Sequence, residues 1–124
     1  MKMRLATRGI ELSADLNEYV RRRAHFSLGR FAGRIRSLSI RLSDVNGPRG
    51  GIDKLCHIRV DVRLRQEVIV RERQASIHAA VAFAMERADR AVQRQLQLAR
   101  AETRMDIARR PNLETKEGKR NDNS

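Results

Sequence analysis

Apolar side chains recur along this chain with two different periods, and each change of period marks the boundary of a predicted element. Alternation of apolar and polar residues, typical of strands with one buried face, occurs in four segments: residues 1–8, 35–43, 56–65 and 67–73. Apolar residues spaced three and four apart, which indicate amphipathic helices, occupy residues 14–30 and 76–104. The predicted order is therefore strand, helix, strand, strand, strand, helix.

The second predicted helix is the element around which the fold is organised. It contains no Gly or Pro, and Ser76 is suited to cap its first turn. One side is apolar and is expected to be buried: Ile77, Ala80, Val81, Ala84, Met85, Ala88, Ala91, Val92, Gln95 and Ala99. One flank of that side holds Phe83, Arg87, Arg90 and Arg94, and the opposite flank holds His78, Glu86 and Asp89. The arginine row is either a solvated face or a surface for phosphate groups.

These elements predict an α+β fold, a two-layer β-α-β-β-β-α sandwich. The first two strands should run parallel through a right-handed crossover, because a helix joins them, and the next three should form an antiparallel meander. Both helices should pack on one face of this four-stranded mixed sheet, which leaves the other face polar and rich in arginine. We expect residues 1–105 to form one domain and residues 106–124, which lack periodicity, to be a disordered tail.

The inventory of reactive side chains argues against an enzyme. His25, His57 and His78 fall on three different elements without metal-site spacing, and Cys56 has no neighbouring base in sequence. We expect Cys56 to be a buried, reduced thiol. The predicted loop at residues 44–51 contains Gly50-Gly51 but lacks the GK[ST] signature of a phosphate-binding loop, although Arg49 at its tip could touch a phosphate. We therefore expect no cofactor, no metal and no small-molecule substrate.

The strong positive charge adds an expected partner. Lys and Arg number 27 against 15 acidic residues, a net charge of +12. Residues 106–124 hold five basic and four acidic side chains, so the predicted domain alone carries +11. Such a domain is expected to bind a polyanion, with nucleic acid the first candidate and an anionic membrane surface the second. No signal sequence or membrane-spanning run is visible, and we expect a cytoplasmic protein.

The two helices offer the candidate binding surface. If they pack side by side, Arg23 and Arg30 of the first can face the same side of the molecule as Arg87, Arg90 and Arg94 of the second, which would form a basic cleft. Aromatic residues make up only 3% of the chain, and most of them look buried. This composition favours recognition of phosphate and shape in structured RNA over stacking on single strands.

Four segments carry a resemblance to a known family: IELSADLNEYV, LGRFAGRI, LSIRLSDVNGPRGGIDKLCHIRVDVRL and ASIHAAVAFAMERADRAVQRQL. Together they resemble the short form of the ribosome hibernation-promoting factors, which are small ribosome-associated translation inhibitors of bacteria. The resemblance spans about residues 1–104 and implies a fold similar to a double-stranded RNA-binding domain. His78 departs from the usual aromatic residue, and Ala82 and Phe83 depart from the usual acidic and small residues. We expect no second domain of the long form.

The resemblance implies a function that composition alone does not specify. Family members bind small-subunit rRNA in the channel used by mRNA and tRNA, and they silence idle ribosomes under stress without catalysis. Five residues match or extend the basic positions of the family: Arg23, Arg30, Arg87, Arg90 and Arg94. We expect a monomer when the protein is free. The alternative is a general structured-RNA or nucleic-acid-binding regulatory module.

Overall fold

The fold follows the predicted order of elements. The computed structural model describes residues 1–45 and 52–108. The elements are β1 (Lys2–Arg8), α1 (Ala14–Leu28), a 3-10 helix (Gly29–Arg34), β2 (Ile35–Asp44), β3 (Lys54–Val62), β4 (Val68–Gln74) and α2 (Ile77–Ala108). Packing divides the chain into two compact units, Met1–Gln93 and Arg94–Ser124, with the boundary inside α2. In the second unit, the described residues 94–108 are helical, and the Thr103 hydroxyl donates to the Ala99 carbonyl over 3.0 Å.

The sheet is mixed and has the strand order β1-β2-β3-β4. β1 runs parallel to β2, whereas β3 lies antiparallel to both β2 and β4. Leu5, Ile40, Ile58 and Val70 are neighbours in register across all four strands. This topology confirms the predicted parallel pairing of the first two strands and the antiparallel meander of the next three.

The core of the first unit lies between one face of the sheet and the helices. Its fully or nearly fully buried sheet residues are Ile35, Leu38, Ile40, Leu42, Cys56, Ile58, Val60, Val62, Val68 and Val70. The helices contribute Leu16, Val20, Ala24, Leu28, Ala80, Val81, Ala84, Met85, Ala88 and Val92. We call α1 and residues 77–93 of α2 the helix layer. Burying the aliphatic side chains between the sheet and this layer supplies the main driving force for folding.

Both helices begin where the sequence predicts. The Ser13 hydroxyl accepts a hydrogen bond from the Leu16 backbone over 3.1 Å, and the Ser76 hydroxyl accepts one from Ala79 over 3.3 Å. These bonds satisfy backbone donors that the first turn of a helix leaves free.

The ends of the helices differ from the prediction. α1 stops at Leu28 rather than Arg30 and tightens into the 3-10 helix, in which Gly29 is right-handed, with φ −59°. α2 continues to Ala108, beyond the predicted end and into the segment 106–124 that was expected to be a disordered tail. Residues 109–124 lie outside the described residues, as do residues 46–51 with Arg49.

Leu64 is the clearest error in the predicted core. Alternation continues through Arg65 in the sequence, but β3 ends at Val62, and Leu64 is 93% exposed in the turn before β4. Its φ of +62° lies in the left-handed region, which is unusual for a branched side chain. The tight turn therefore overrides the apolar pattern at this position.

Candidate nucleic-acid interface

Arg23 stands beside an exposed aromatic ring on α1. Its guanidinium carbon lies 5.7 Å from the centre of the Phe26 ring, within the range of a cation–π contact. The Arg23 side chain is half-buried, and its Nε has no hydrogen-bond partner among the described residues. Phe26 is 79% and Phe83 48% exposed, and Tyr19 and Phe31 are half-buried, so the expectation that most aromatic residues are buried is wrong. α1 thus presents a cation and an aromatic face together.

Arg30 joins the two helices. Its Nη2 donates to Asp89 Oδ1 over 2.7 Å, and its Nη1 donates to Asp89 Oδ2 over 3.5 Å. The guanidinium also donates to the Ser27 carbonyl over 3.4 Å and lies 4.3 Å from the centre of the Phe31 ring. These contacts hold the Arg30 side chain in one orientation and neutralise part of its charge.

Arg87 is held by the last strand of the sheet. Its Nη1 donates to the Arg71 carbonyl over 2.6 Å and to Glu72 Oε1 over 2.9 Å. The Gln74 amide also donates to Glu72, over 2.8 Å. The pKa of Glu72 is lowered from its ordinary value, first by the hydrogen bond from Gln74 and then by Arg87, although partial burial opposes this effect.

Arg90 and Arg94 are the more available cations on α2. Both are exposed, and neither side chain forms a hydrogen bond or an ion pair with another residue in the described ranges 1–45 and 52–108. Arg90 belongs to the first compact unit, whereas Arg94 begins the second. Both guanidinium groups can therefore donate fully to an incoming phosphate.

The structure does not bring the predicted arginines into one cleft between the helices. Arg30 contacts α2 through Asp89, whereas Arg87 contacts β4. Residues 87 and 89 point about 200° apart around the helix axis, so these contacts occupy opposite flanks of α2. Tyr19 supports the same arrangement, since its hydroxyl donates to the His78 carbonyl and its ring lies 4.5 Å from that of His78. α1 therefore packs on the flank of α2 that holds His78 and Asp89.

The contacts add residues that the sequence reasoning did not include in the site. Asp89 and Glu72 fix two of the arginines, and Phe26 adds an exposed ring. The sequence did place Asp89 on the flank opposite the arginine row. The missing information was which flank faces α1, and the pattern of apolar residues does not specify this.

Cys56 is suited to a structural role. Cys56 is buried and free, and burial raises the pKa of its thiol to about 12, which makes the thiolate unavailable at neutral pH. Within residues 1–45 and 52–108, no group of His, Cys, Asp and Glu side chains is arranged to hold a metal ion. No helix in the same ranges is both long and apolar enough to cross a membrane.

Comparison with known families decides the assignment. The family described as Sigma 54 modulation protein / S30EA ribosomal protein matches residues 3–100. The chain belongs to this family. Its membership confirms the resemblance to hibernation-promoting factors and indicates a ribosome-associated modulation protein. The family description names no enzymatic reaction.

Two solved structures share the fold at low sequence identity. A ribosomal subunit interface protein from Coxiella burnetii is 13% identical, with a TM-score of 0.64, over 76% of this chain and 96% of that one. The N-terminal domain of Thermus thermophilus Protein Y is 23% identical, with a TM-score of 0.60, over 76% of this chain and 98% of that one. Both support the predicted α+β sandwich. A search of curated proteins found no match.

Proposed function

We propose that this protein binds small-subunit rRNA in the channel used by mRNA and tRNA and inhibits translation without catalysis. The observation that carries the proposal is the family match over residues 3–100. A ribosome-bound hibernation factor would act in the cytoplasm, would need no cofactor, and would be a monomer when free.

The charge of the helix layer supplies a physical basis for binding. Arg90 is exposed and unpaired among the described residues, and Arg23 lies beside the exposed ring of Phe26. Guanidinium groups can donate two parallel hydrogen bonds to a phosphate, and an aromatic ring can stack on an unpaired base. This surface suits a folded RNA with both backbone and accessible bases.

The five proposed site residues divide into two roles. Arg90 and Arg94 would contact phosphate directly, together with Arg23 beside Phe26. Arg30 and Arg87 are tied to carboxylates, and they would mainly position the surface while offering their remaining N–H groups to RNA.

A sucrose gradient tests the proposal. Purified protein mixed with small ribosomal subunits should co-sediment with them at moderate salt, and it should block initiation in a reconstituted translation reaction. Absence of the protein from the subunit fraction would contradict the proposal.

A salt series separates this function from general RNA binding. Affinity for intact small subunits should exceed affinity for duplex RNA fragments at every salt concentration, because only the subunit offers the shaped channel. Equal affinities that fall in parallel with salt would instead support a general structured-RNA-binding module.

A further inference from the structure

The side of the sheet away from the helix layer contains a basic hollow. We call this side the open sheet face. A cavity of about 280 Å³ lies over β1, β2 and β3, and besides Leu5 and Ile40 its lining residues are Arg4, Ala6, Ser39, Arg41, His57 and Arg59. We call this cavity the sheet hollow. None of the lining residues belongs to the helix layer.

Strand register explains why a hollow forms there. Arg4, Ser39 and Arg59 are neighbours across β1, β2 and β3 in one row. Ala6, Arg41 and His57 form the adjacent row, and Arg71 of β4 extends it. Side chains directly opposite on neighbouring strands lie about 5 Å apart. The short side chains of Ala6 and Ser39 therefore leave space between long arginines.

The charges around the sheet hollow are poorly balanced. Glu67 accepts from Nε and Nη2 of Arg59, each over 3.1 Å, which orients that guanidinium group. Arg4 and Arg41 have no carboxylate partner among the described residues. Like charges on neighbouring strands repel each other. An anion bound between them would relieve that repulsion.

His57 adds an unsatisfied group at the same place. Its Nε2 is buried and has no hydrogen-bond partner among the described residues. The pKa of His57 is lowered, first by burial and then by Arg71, Arg41 and Arg59, whereas Glu67 acts in the opposite direction. In the tautomer that carries the proton on Nε2, this nitrogen can donate a hydrogen bond to an anion, which would satisfy it.

We propose that the sheet hollow is a binding site for a phosphate group, held by Arg4, Arg41 and His57 with Arg59 oriented beside them. Arg and His donors together with the Ser39 hydroxyl match the acceptor oxygens of a phosphate. The group could belong to a small phosphorylated molecule or to an RNA backbone. The site is independent of the helix layer, and the proposal does not rest on ribosome binding.

Titration with three probes tests the site. Inorganic phosphate, AMP and a short single-stranded RNA are added separately to the full chain, and backbone amide shifts are followed by NMR while calorimetry gives the affinity. Shifts should centre on the strand positions of Arg4, Arg41 and His57. Arg41→Gln should weaken binding of AMP about tenfold, the usual effect of losing a hydrogen bond between charged groups.

Arg73→Gln is the matched control. Arg73 is exposed on the open sheet face but does not line the sheet hollow. The Arg73→Gln substitution removes the same charge as Arg41→Gln. The affinity for AMP should change by less than about twofold, as expected for a distant screened charge. Equal weakening by Arg41→Gln and Arg73→Gln would overturn the proposal, as would the absence of shifts around the sheet hollow with all three probes.

The probes also distinguish the source of the phosphate. AMP binding as tightly as the RNA would identify a small phosphorylated ligand. Tighter binding of the RNA, with an affinity that falls steeply with salt, would identify a polynucleotide backbone. Either result supports a phosphate site if Arg41→Gln weakens binding of the probe and Arg73→Gln does not.

The pH dependence gives a second readout through His57. Sulfate is a suitable probe because it stays a dianion between pH 5 and pH 8, unlike phosphate. The groups that face His57 are Arg41 on β2, Arg71 on β4, Arg59 on its own strand and Glu67 beyond it, with Arg4 across the sheet hollow. Bound sulfate should raise the pKa of His57, so sulfate affinity should increase as the pH falls.

His57→Gln should abolish this increase while Arg73→Gln retains it. The imidazole resonances of His57, followed by NMR through the titration, report the shift directly. An unchanged His57 titration in saturating sulfate would contradict a direct contact and overturn the proposed site.

Discussion

The helix layer and the open sheet face are both rich in arginine, but they hold their guanidinium groups differently. On the helix layer, Arg87 is clamped by Glu72, and in the adjoining 3-10 helix Arg30 is clamped by Asp89 of α2. Each of these arginines also donates to a backbone carbonyl. On the open sheet face, Arg59 is paired with Glu67, whereas Arg4 and Arg41 have no described carboxylate partner. The helix layer also exposes the ring of Phe26.

This difference separates arginines that maintain the fold from arginines that are available to a ligand. An exposed ion pair contributes at most about 1 kcal/mol, but it fixes a side chain and reduces its charge. An unpaired guanidinium keeps its full capacity for phosphate. Counting arginines therefore overstates the binding capacity of the helix layer, where Arg23 and Arg90 should dominate. Arg94, the next exposed and unpaired arginine along α2 among the described residues, should add to them.

Charge reversal along α2 should produce the largest effect. Replacing Arg87, Arg90 and Arg94 together with Glu should weaken binding to small subunits more than about a hundredfold, because several charge-assisted contacts become repulsive. The double variant Arg90→Glu/Arg94→Glu leaves the Arg87–Glu72 pair intact. It should lose nearly as much binding, because the paired Arg87 is expected to contribute little. Co-sedimentation measures binding, and circular dichroism should show unchanged helix content.

A matched double variant on the same helix provides the control. Arg100→Glu/Arg104→Glu makes the same charge change at two exposed positions nearer the end of α2. It should retain most of the binding. If the triple variant still binds small subunits, the ribosome contact would have to be sought on the open sheet face.

Phe26→Ala tests the aromatic difference between the two surfaces. Loss of a stacked base costs about 1–3 kcal/mol, so binding to small subunits should weaken about tenfold. Stability should change little, because the Phe26 ring is largely exposed. Thermal unfolding together with co-sedimentation separates the two effects. Phe26→Tyr should retain binding, and unchanged binding by Phe26→Ala would exclude stacking at this position.

The fold was predictable because its signals are local and redundant. Alternation in the strand segments and the long amphipathic pattern of α2 agree on one order of elements, and chain connectivity then leaves few topologies. Leu64 escaped prediction because the turn after Val62 contains no Gly, Asn or Asp to interrupt the alternation. The closure of the hairpin, and not the preference of the residue itself, imposes the left-handed backbone conformation in such a turn.

The candidate site was only partly predictable. Sequence spacing correctly groups Arg87 and Arg90 on one flank of α2 and Asp89 on the other. Whether a guanidinium is free depends on the neighbouring element, and both flanks of the apolar stripe are polar. The position of α1 beside Asp89 is a tertiary choice, as is the position of β4 beside Arg87.

The Arg30–Asp89 pair should show a modest effect on stability. Asp89→Asn removes the charge that Arg30 contacts and should lower the free energy of unfolding by about 0.5–1 kcal/mol, the upper range for a partly exposed pair. Denaturant unfolding of Asp89→Asn, Arg30→Gln and the double variant measures the coupling. Full additivity of the two single substitutions would show that the contact contributes nothing to stability.

The Glu72–Arg87 contact should produce the smallest effect, and its signature is a pH dependence. The pKa of Glu72 lies below its ordinary value of 4.5 because Gln74 and Arg87 stabilise the carboxylate. A lowered folded-state pKa stabilises the protein above the unfolded-state pKa, and this stabilisation is lost as the pH falls through the folded-state value. Wild type should therefore exceed Glu72→Gln in stability at pH 7, by less than about 1 kcal/mol, and the gap should close below pH 4.5. Thermal unfolding across this range measures it, with Glu67→Gln as the matched variant on the open sheet face. A gap that stays constant down to acid pH would show that Arg87 is not anchored by the Glu72 carboxylate and would return it to the arginines available for RNA.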